Sequence, residues 1–162
     1  MSVTRPVVVL LVVGAVLCGF ALGTKRPGGP SGKALKDKTS DARATLQEFV
    51  TLVNQRDAIG LAAILHRPFY AEKKKFENDE ERQELIGKLL TEVRLPLALG
   101  SVKVCTATEA GLPPEADQLL TADDTIFLVE LQSGDNSSQH AVVVRKTPEG
   151  CQLVAAIKSP AP

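Results

Sequence analysis

The sequence predicts one small α+β domain, because its apolar periodicity changes once, near Gly100. Before that glycine, apolar residues recur every three or four positions, as on one face of a helix. After it they alternate or cluster in β-branched runs punctuated by Gly, Pro, Asn and Asp, as in strands joined by turns. A third observation sets the N-terminus apart. Residues 7–23 form an unbroken apolar run, which belongs to targeting and not to a soluble core. The expected architecture is an N-terminal hydrophobic helix, then about three helices packed on a curved antiparallel sheet of about four long strands. It divides into 1–23 as signal peptide or membrane anchor, 24–39 as linker, 40–158 as the domain and 159–162 as a tail.

Residues 7–23, VVVLLVVGAVLCGFALG, carry no charge, with Arg5 before them and Lys25 and Arg26 after. A positive start, an apolar stretch and small residues at Ala21 and Gly23 suit a secretory signal cleaved after Gly23. The run also reaches the short end of the ~17–25 residues that cross a bilayer, which suits an uncleaved anchor. Both readings stay open, and each makes the membrane the first expected partner and places the domain at the cell membrane or outside the cytoplasm. Lys25, Arg26, Lys33, Lys36 and Lys38 pull the other way, since the positive-inside rule holds such clusters in the cytoplasm. Lipid attachment at Cys18 wants a small preceding residue, and Leu17 is not small. Residues 24–39 combine prolines and glycines with five basic residues and read as a flexible basic linker.

A chain of 162 residues has the length of one domain, and 44% apolar content without net charge is globular. Removing residues 1–23 takes away a single charge, Arg5, so the rest stays near neutral and offers no electrostatic footprint for nucleic acid. Beyond Phe20 the aromatics are Phe49, Phe69, Tyr70, Phe76 and Phe127, with no Trp, which leaves little for base stacking.

The first helix is expected from Ser40 or Asp41, either of which can cap it, with Leu46, Phe49, Val50 and Val53 on one face. Asp57 caps a second helix from Ala58 to about Leu65, and Pro68 stops it. Asn78, with Glu81 three residues on, caps a third helix that ends before Pro96. Its stripe is Leu85, Ile86, Leu89, Leu90 and Val93, and Leu89 in its middle is expected to be the most costly residue to lose. Strands follow at 101–109, 125–132, 139–146 and 151–158, with turns at 133–137 and 147–150 and a long connection over 113–123.

Phe49-Val50 through Asp57, the segment His66-Arg67-Pro68-Phe69-Tyr70, and the last hairpin carry a resemblance. That hairpin runs from Val142-Val143-Val144-Arg145-Lys146 to Gly150-Cys151-Gln152-Leu153-Val154. Together they resemble the nuclear transport factor 2-like (cystatin-like cone) superfamily, in particular its small exported members of unknown function. The likeness spans about three quarters of the chain and is one of pattern. Members often have Trp one residue after the hairpin glycine, where this chain has Cys151. The resemblance implies a pocket between sheet and helices, holding an Asp, His or Tyr in enzymatic relatives and plainly apolar in many others.

No residue is assigned as catalytic, and no cofactor or metal site is read. Asp57, His66 and Tyr70 are the candidates, since a His beside a Tyr and a carboxylate can move protons near neutral pH. The plainer reading, in which Asp57 caps, His66 ends a helix and Tyr70 packs, is preferred. His140 is expected to be exposed beside a Ser-rich turn. Two histidines without acidic residues at ligand spacing do not make a zinc site. Cys105 and Cys151 fall on the first and last of the four strands, about three spacings of ~4.8 Å apart in a simple meander, which is too far to bridge. Their pairing is left open. The run 72–84 reads as a solvated loop and helix start, and Asn136-Ser137-Ser138 as an acceptor sequon. The favoured function is a membrane-tethered or exported non-catalytic module that binds a protein or a small apolar ligand. A small dehydratase- or isomerase-like enzyme and a structural accessory domain are the alternatives.

Overall fold

The first described helix, α1 (Ser31–Gln55), buries Ala42, Leu46, Val50 and Val53, the i, i+4 face that the periodicity predicts. The structure, a computed structural model, describes residues 31–159. The apolar run 7–23, linker residues 24–30 and the tail residues 160–162 lie outside that range, and with them the signal or anchor reading. No described helix is long and apolar enough to cross a membrane. The helix starts nine residues before Ser40, so residues 31–39 are helical and not linker. The prolines and most glycines of the stretch lie before residue 31, and Lys33 to Thr39 are mostly adequate helix formers.

Asp57 caps α2 (Ala58–Ile64), its carboxylate accepting from the Gly60 N–H at 2.9 Å. Gly60 also lets α2 approach α1. A Cβ built there would stand 2.5 Å from Leu52 Cδ2 and 2.7 Å from Asp57 Oδ2. Replacing glycine by alanine within a helix usually stabilises by nearly ~1 kcal/mol. Here Gly60→Ala should instead lower stability by about 1 kcal/mol, since the added methyl displaces the capping carboxylate. Urea denaturation reads the sign, and a gain would show that the cap moves freely.

The chain continues through β1 (Leu65–Ala71) and β2 (Lys74–Phe76) into α3 (Asp79–Glu92). Asn78 caps α3 by accepting from Glu81 N–H at 2.8 Å, and Glu81 accepts from Glu77 N–H. β3 (Leu97–Val104) begins earlier and ends sooner than the expected 101–109 strand. Two short helices follow, α4 (Ala107–Ala110), closed by a Thr106–Glu109 capping box, and α5 (Pro114–Asp117). The hairpins β4 (Asp124–Ser133), β5 (Asn136–Thr147) and β6 (Gly150–Lys158) lie where turn chemistry places them.

The sheet has six strands in the order β2-β1-β6-β5-β4-β3, and β1 runs parallel to β6. It is therefore mixed, in place of four antiparallel strands. β1 escapes the sequence because Pro68 interrupts it and proline argues against a strand. The residue falls where the β1–β6 register shifts between Leu65 and Tyr70, so no ladder N–H is needed there.

One face of the sheet meets α1, α2 and α3. Phe69, Phe127, Val129, Val142, Val144 and Leu153 form its core with Leu46, Val53 and Leu61. Asn54 on α1 docks this layer onto β3 through two bonds of 2.8 Å. Its Nδ2 donates to Leu97 O, and Leu97 N–H donates to its Oδ1. The outer face carries Tyr70, Val143, Val154 and Ala155, covered by Leu112, Ala116, Leu119 and Leu120 from the long connection. An Arg145–Asp124 pair pins that connection, and Arg145 Nη2 also donates to Leu119 O at 2.6 Å.

Candidate functional site

Between the sheet and α1 and α3 lies a cavity of about 430 Å³, within the ~300–1,000 Å³ usual for small-molecule sites. Leu46 and Phe49 from α1, and Leu85, Ile86, Leu89 and Val93 from α3, form its helical wall. The sheet supplies Leu65, Phe69, Leu99, Val129, Leu131, Val142 and Leu153. The apolar stripe expected to be the core of α3 is thus divided. Only Ile86 is buried among its apolar residues, while Leu85, Leu89 and Val93 stay half-exposed against the cavity. Leu89 is a cavity wall and not the most buried leucine, which corrects the sequence expectation.

Polar groups on the cavity are few: Glu72, Lys73, Lys88, Glu92, His140 and Lys158. Lys88 Nζ meets Glu72 Oε2 at 2.8 Å, joining α3 to the β1–β2 turn. Glu72 and Lys73 sit at positive φ, 50° and 65°. A two-residue hairpin turn that pairs Ala71 with Lys74 favours this geometry, but side chains other than Gly, Asn or Asp adopt it at a cost.

His140 lies on β5, half-buried, and not exposed as its Ser-rich neighbourhood led us to expect. Its Nε2 is 2.9 Å from Ser138 Oγ. Burial, and then the Lys158 charge, lower its pKa from the ordinary 6.5, so the neutral ring dominates at pH 7. A usable signal was present in the sequence. His140, Val142 and Val144 alternate, and that parity puts the imidazole on the face of the two core valines.

Asp57, His66 and Tyr70 are not brought together at this cavity, and none of them lines it. Asp57 is occupied as the α2 cap. Tyr70 is buried in the outer-face cluster, on the other side of the sheet. His66 lines a second, more open hollow with Arg67, Arg82 and Gln152, and its Nδ1 donates to Pro68 O at 3.3 Å. Arg82 there is buried, donating to Leu65 O at 2.9 Å and to Asp79 at 2.7 Å. Its Nε has no hydrogen-bond partner among the described residues.

Cys105 and Cys151 are free thiols; Cys105 lies just past the end of β3 and not on a strand as expected, Cys151 lies on β6 with β5 and β4 between, and burial raises both pKa values. β6 is not an edge strand, because β1 flanks it from Leu153 onward. Among the described residues no group of His, Cys, Asp or Glu is arranged to hold a metal ion.

A helical layer over one face of a bulged sheet, with a cavity between them, is the NTF2-like, cystatin-like fold, and the solved structures bear this out. A cystatin-like protein of uncharacterised function from Caulobacter vibrioides aligns over 78% of this chain and 91% of its own, at 9% identity and TM-score 0.56. An NTF2-like protein of unknown function from Pseudomonas putida KT2440 covers 78% and 88%, at 14% identity and TM-score 0.54. A protein of the NTF2-like family from Streptomyces avermitilis, provisionally named a dehydratase, covers 78% and 97%, at 11% identity and TM-score 0.55. No family model matches the sequence, and no curated protein matches it. Identities this low establish a common fold and carry no activity across.

Proposed function

We propose that the domain is a non-catalytic binding module that holds a small, largely apolar molecule in the cavity between sheet and helices. We propose further that residues 1–23 export it or tether it to a membrane. One observation carries the binding reading. The apolar stripe of α3 is only partly buried, and Leu85, Leu89 and Val93 line a cavity wide enough for a ligand. Apolar surface in such a pocket gains free energy when a ligand displaces its water, at roughly 25 cal/mol per Å² covered.

The test uses a neutral fluorescent apolar probe, N-phenylnaphthylamine, with the full chain. The parent should enhance its fluorescence saturably. Ala156 lines the cavity and is half-buried, so Ala156→Phe should fill the space. That variant should retain its far-ultraviolet circular dichroism and lose probe binding by at least about tenfold. Unchanged binding would place the probe elsewhere and remove the cavity reading.

A second reading, a small dehydratase- or isomerase-like enzyme, draws on His140, a neutral imidazole facing the cavity and able to accept a proton. The provisional name of the Streptomyces avermitilis structure points the same way.

A further inference from the structure

The cavity is apolar within, but its polar groups gather at one end, and the sheet register explains why. Ala71 pairs with Ala156, and His140 pairs with Lys158. The end of β1, the end of β6 and His140 on β5 therefore reach the same rim, with the Glu72-Lys73 turn beside them and Lys88 and Glu92 above on α3. The charges at this rim are not evenly matched. Glu72 pairs with Lys88, and Glu92 also acts on Lys88, so both carboxylates serve one ammonium. Lys73 and Lys158 make no ion pair among the described residues, and of the two it is Lys158 that the sheet register sets opposite His140. An unmatched cation beside a neutral imidazole, at the mouth of an apolar chamber, is a receiver for an anion.

We propose that the ligand is a single-chain amphiphile with a carboxylate head, its chain against Phe49, Phe69 and Leu89 and its head at Lys158 and His140. The inference rests on the cavity reading above and adds the class of ligand. The head accepts hydrogen bonds from the Lys158 ammonium and from the imidazole, and the chain covers the partly buried stripe of α3. A chamber of about 430 Å³ takes one acyl chain and not the two of a phospholipid. A diacyl lipid is thus excluded as the source of the charge, and the carboxylate of a one-chain acid is the simplest head that one ammonium and one imidazole N–H satisfy.

Decanoate and decanol share a chain and differ in the head. With the full chain at neutral pH, each displaces N-phenylnaphthylamine in a competition assay. Decanoate should compete at a concentration roughly tenfold lower, the factor that one charge-assisted hydrogen bond supplies. In Lys158→Gln that preference should collapse. The chain has two histidines, so ring resonances give a second readout. Decanoate should move the titration of His140 to higher pH. Equal competition by the two compounds overturns the anionic head, and a preference that survives Lys158→Gln overturns its placement at Lys158, while in both cases the cavity reading stands. If neither compound competes with bound probe, the cavity reading falls and this inference with it.

Discussion

Truncating Phe127 to alanine should lower the unfolding free energy by about 3–5 kcal/mol, the usual range for a fully buried aromatic side chain. Phe127 has no accessible surface and sits mid-sheet, with Val142 opposite on β5 and Val104 on β3. Its neighbours are held by strand pairing on both sides and cannot collapse into the space, so transfer and cavity costs add. The expected loss is a large share of the ~5–15 kcal/mol that a domain holds. Leu89→Ala is the informative comparison, because the sequence pattern alone ranks it first. Leu89 is half-exposed on an existing cavity, so its truncation should cost only about 1–2 kcal/mol. Urea denaturation of both variants orders them. If Leu89→Ala proves the more costly, the cavity is closed in solution and α3 packs directly on the sheet.

Asp124→Ala should cost about 3 kcal/mol, the lower end for removing one partner from a buried ion pair. The Asp124 side chain is 2% exposed and that of Arg145 17%. Arg145 donates in a fork, Nε to Oδ1 at 2.8 Å and Nη2 to Oδ2 at 2.9 Å, and Thr121 N–H donates to Oδ2 at 2.7 Å. The carboxylate thus joins β4, β5 and the end of the connection that crosses the outer face. Removing it strands the guanidinium in a largely buried position and frees the Thr121 N–H. A double-mutant cycle with Arg145→Ala should give a coupling of at least about 1.5 kcal/mol. A coupling near zero would mean that water screens the pair as it does at a surface.

Much of the candidate site could be read in part only. The α3 stripe was legible in full, yet a stripe does not say whether it meets side chains or a cavity. The Ser-rich segment before His140 has the composition of a turn and points to an exposed ring, whereas β5 starts at Asn136 and carries His140 inside the sheet. Asp57, His66 and Tyr70 are near one another in sequence but fall at a helix cap, a separate hollow and the opposite face of the sheet. Alternation along β1 and the change from helix to strand at Leu65 separate them, and sequence proximity carries no information about which face a strand residue takes until its register is known.

By itself the sequence determined the helices capped by Asp57 and Asn78, the two late hairpins and the α+β order. Caps, turns and apolar periods act over a few residues, so neighbours along the chain decide them. Only the tertiary structure decided the parallel pairing of β1 with β6, the Asn54 clamp on Leu97, and the polar rim of Glu72, Lys73, His140 and Lys158. Each of these joins segments that are far apart in sequence. Such contacts form only when the helical layer stacks on the sheet and buries their shared apolar faces, and a linear pattern does not encode where those faces meet.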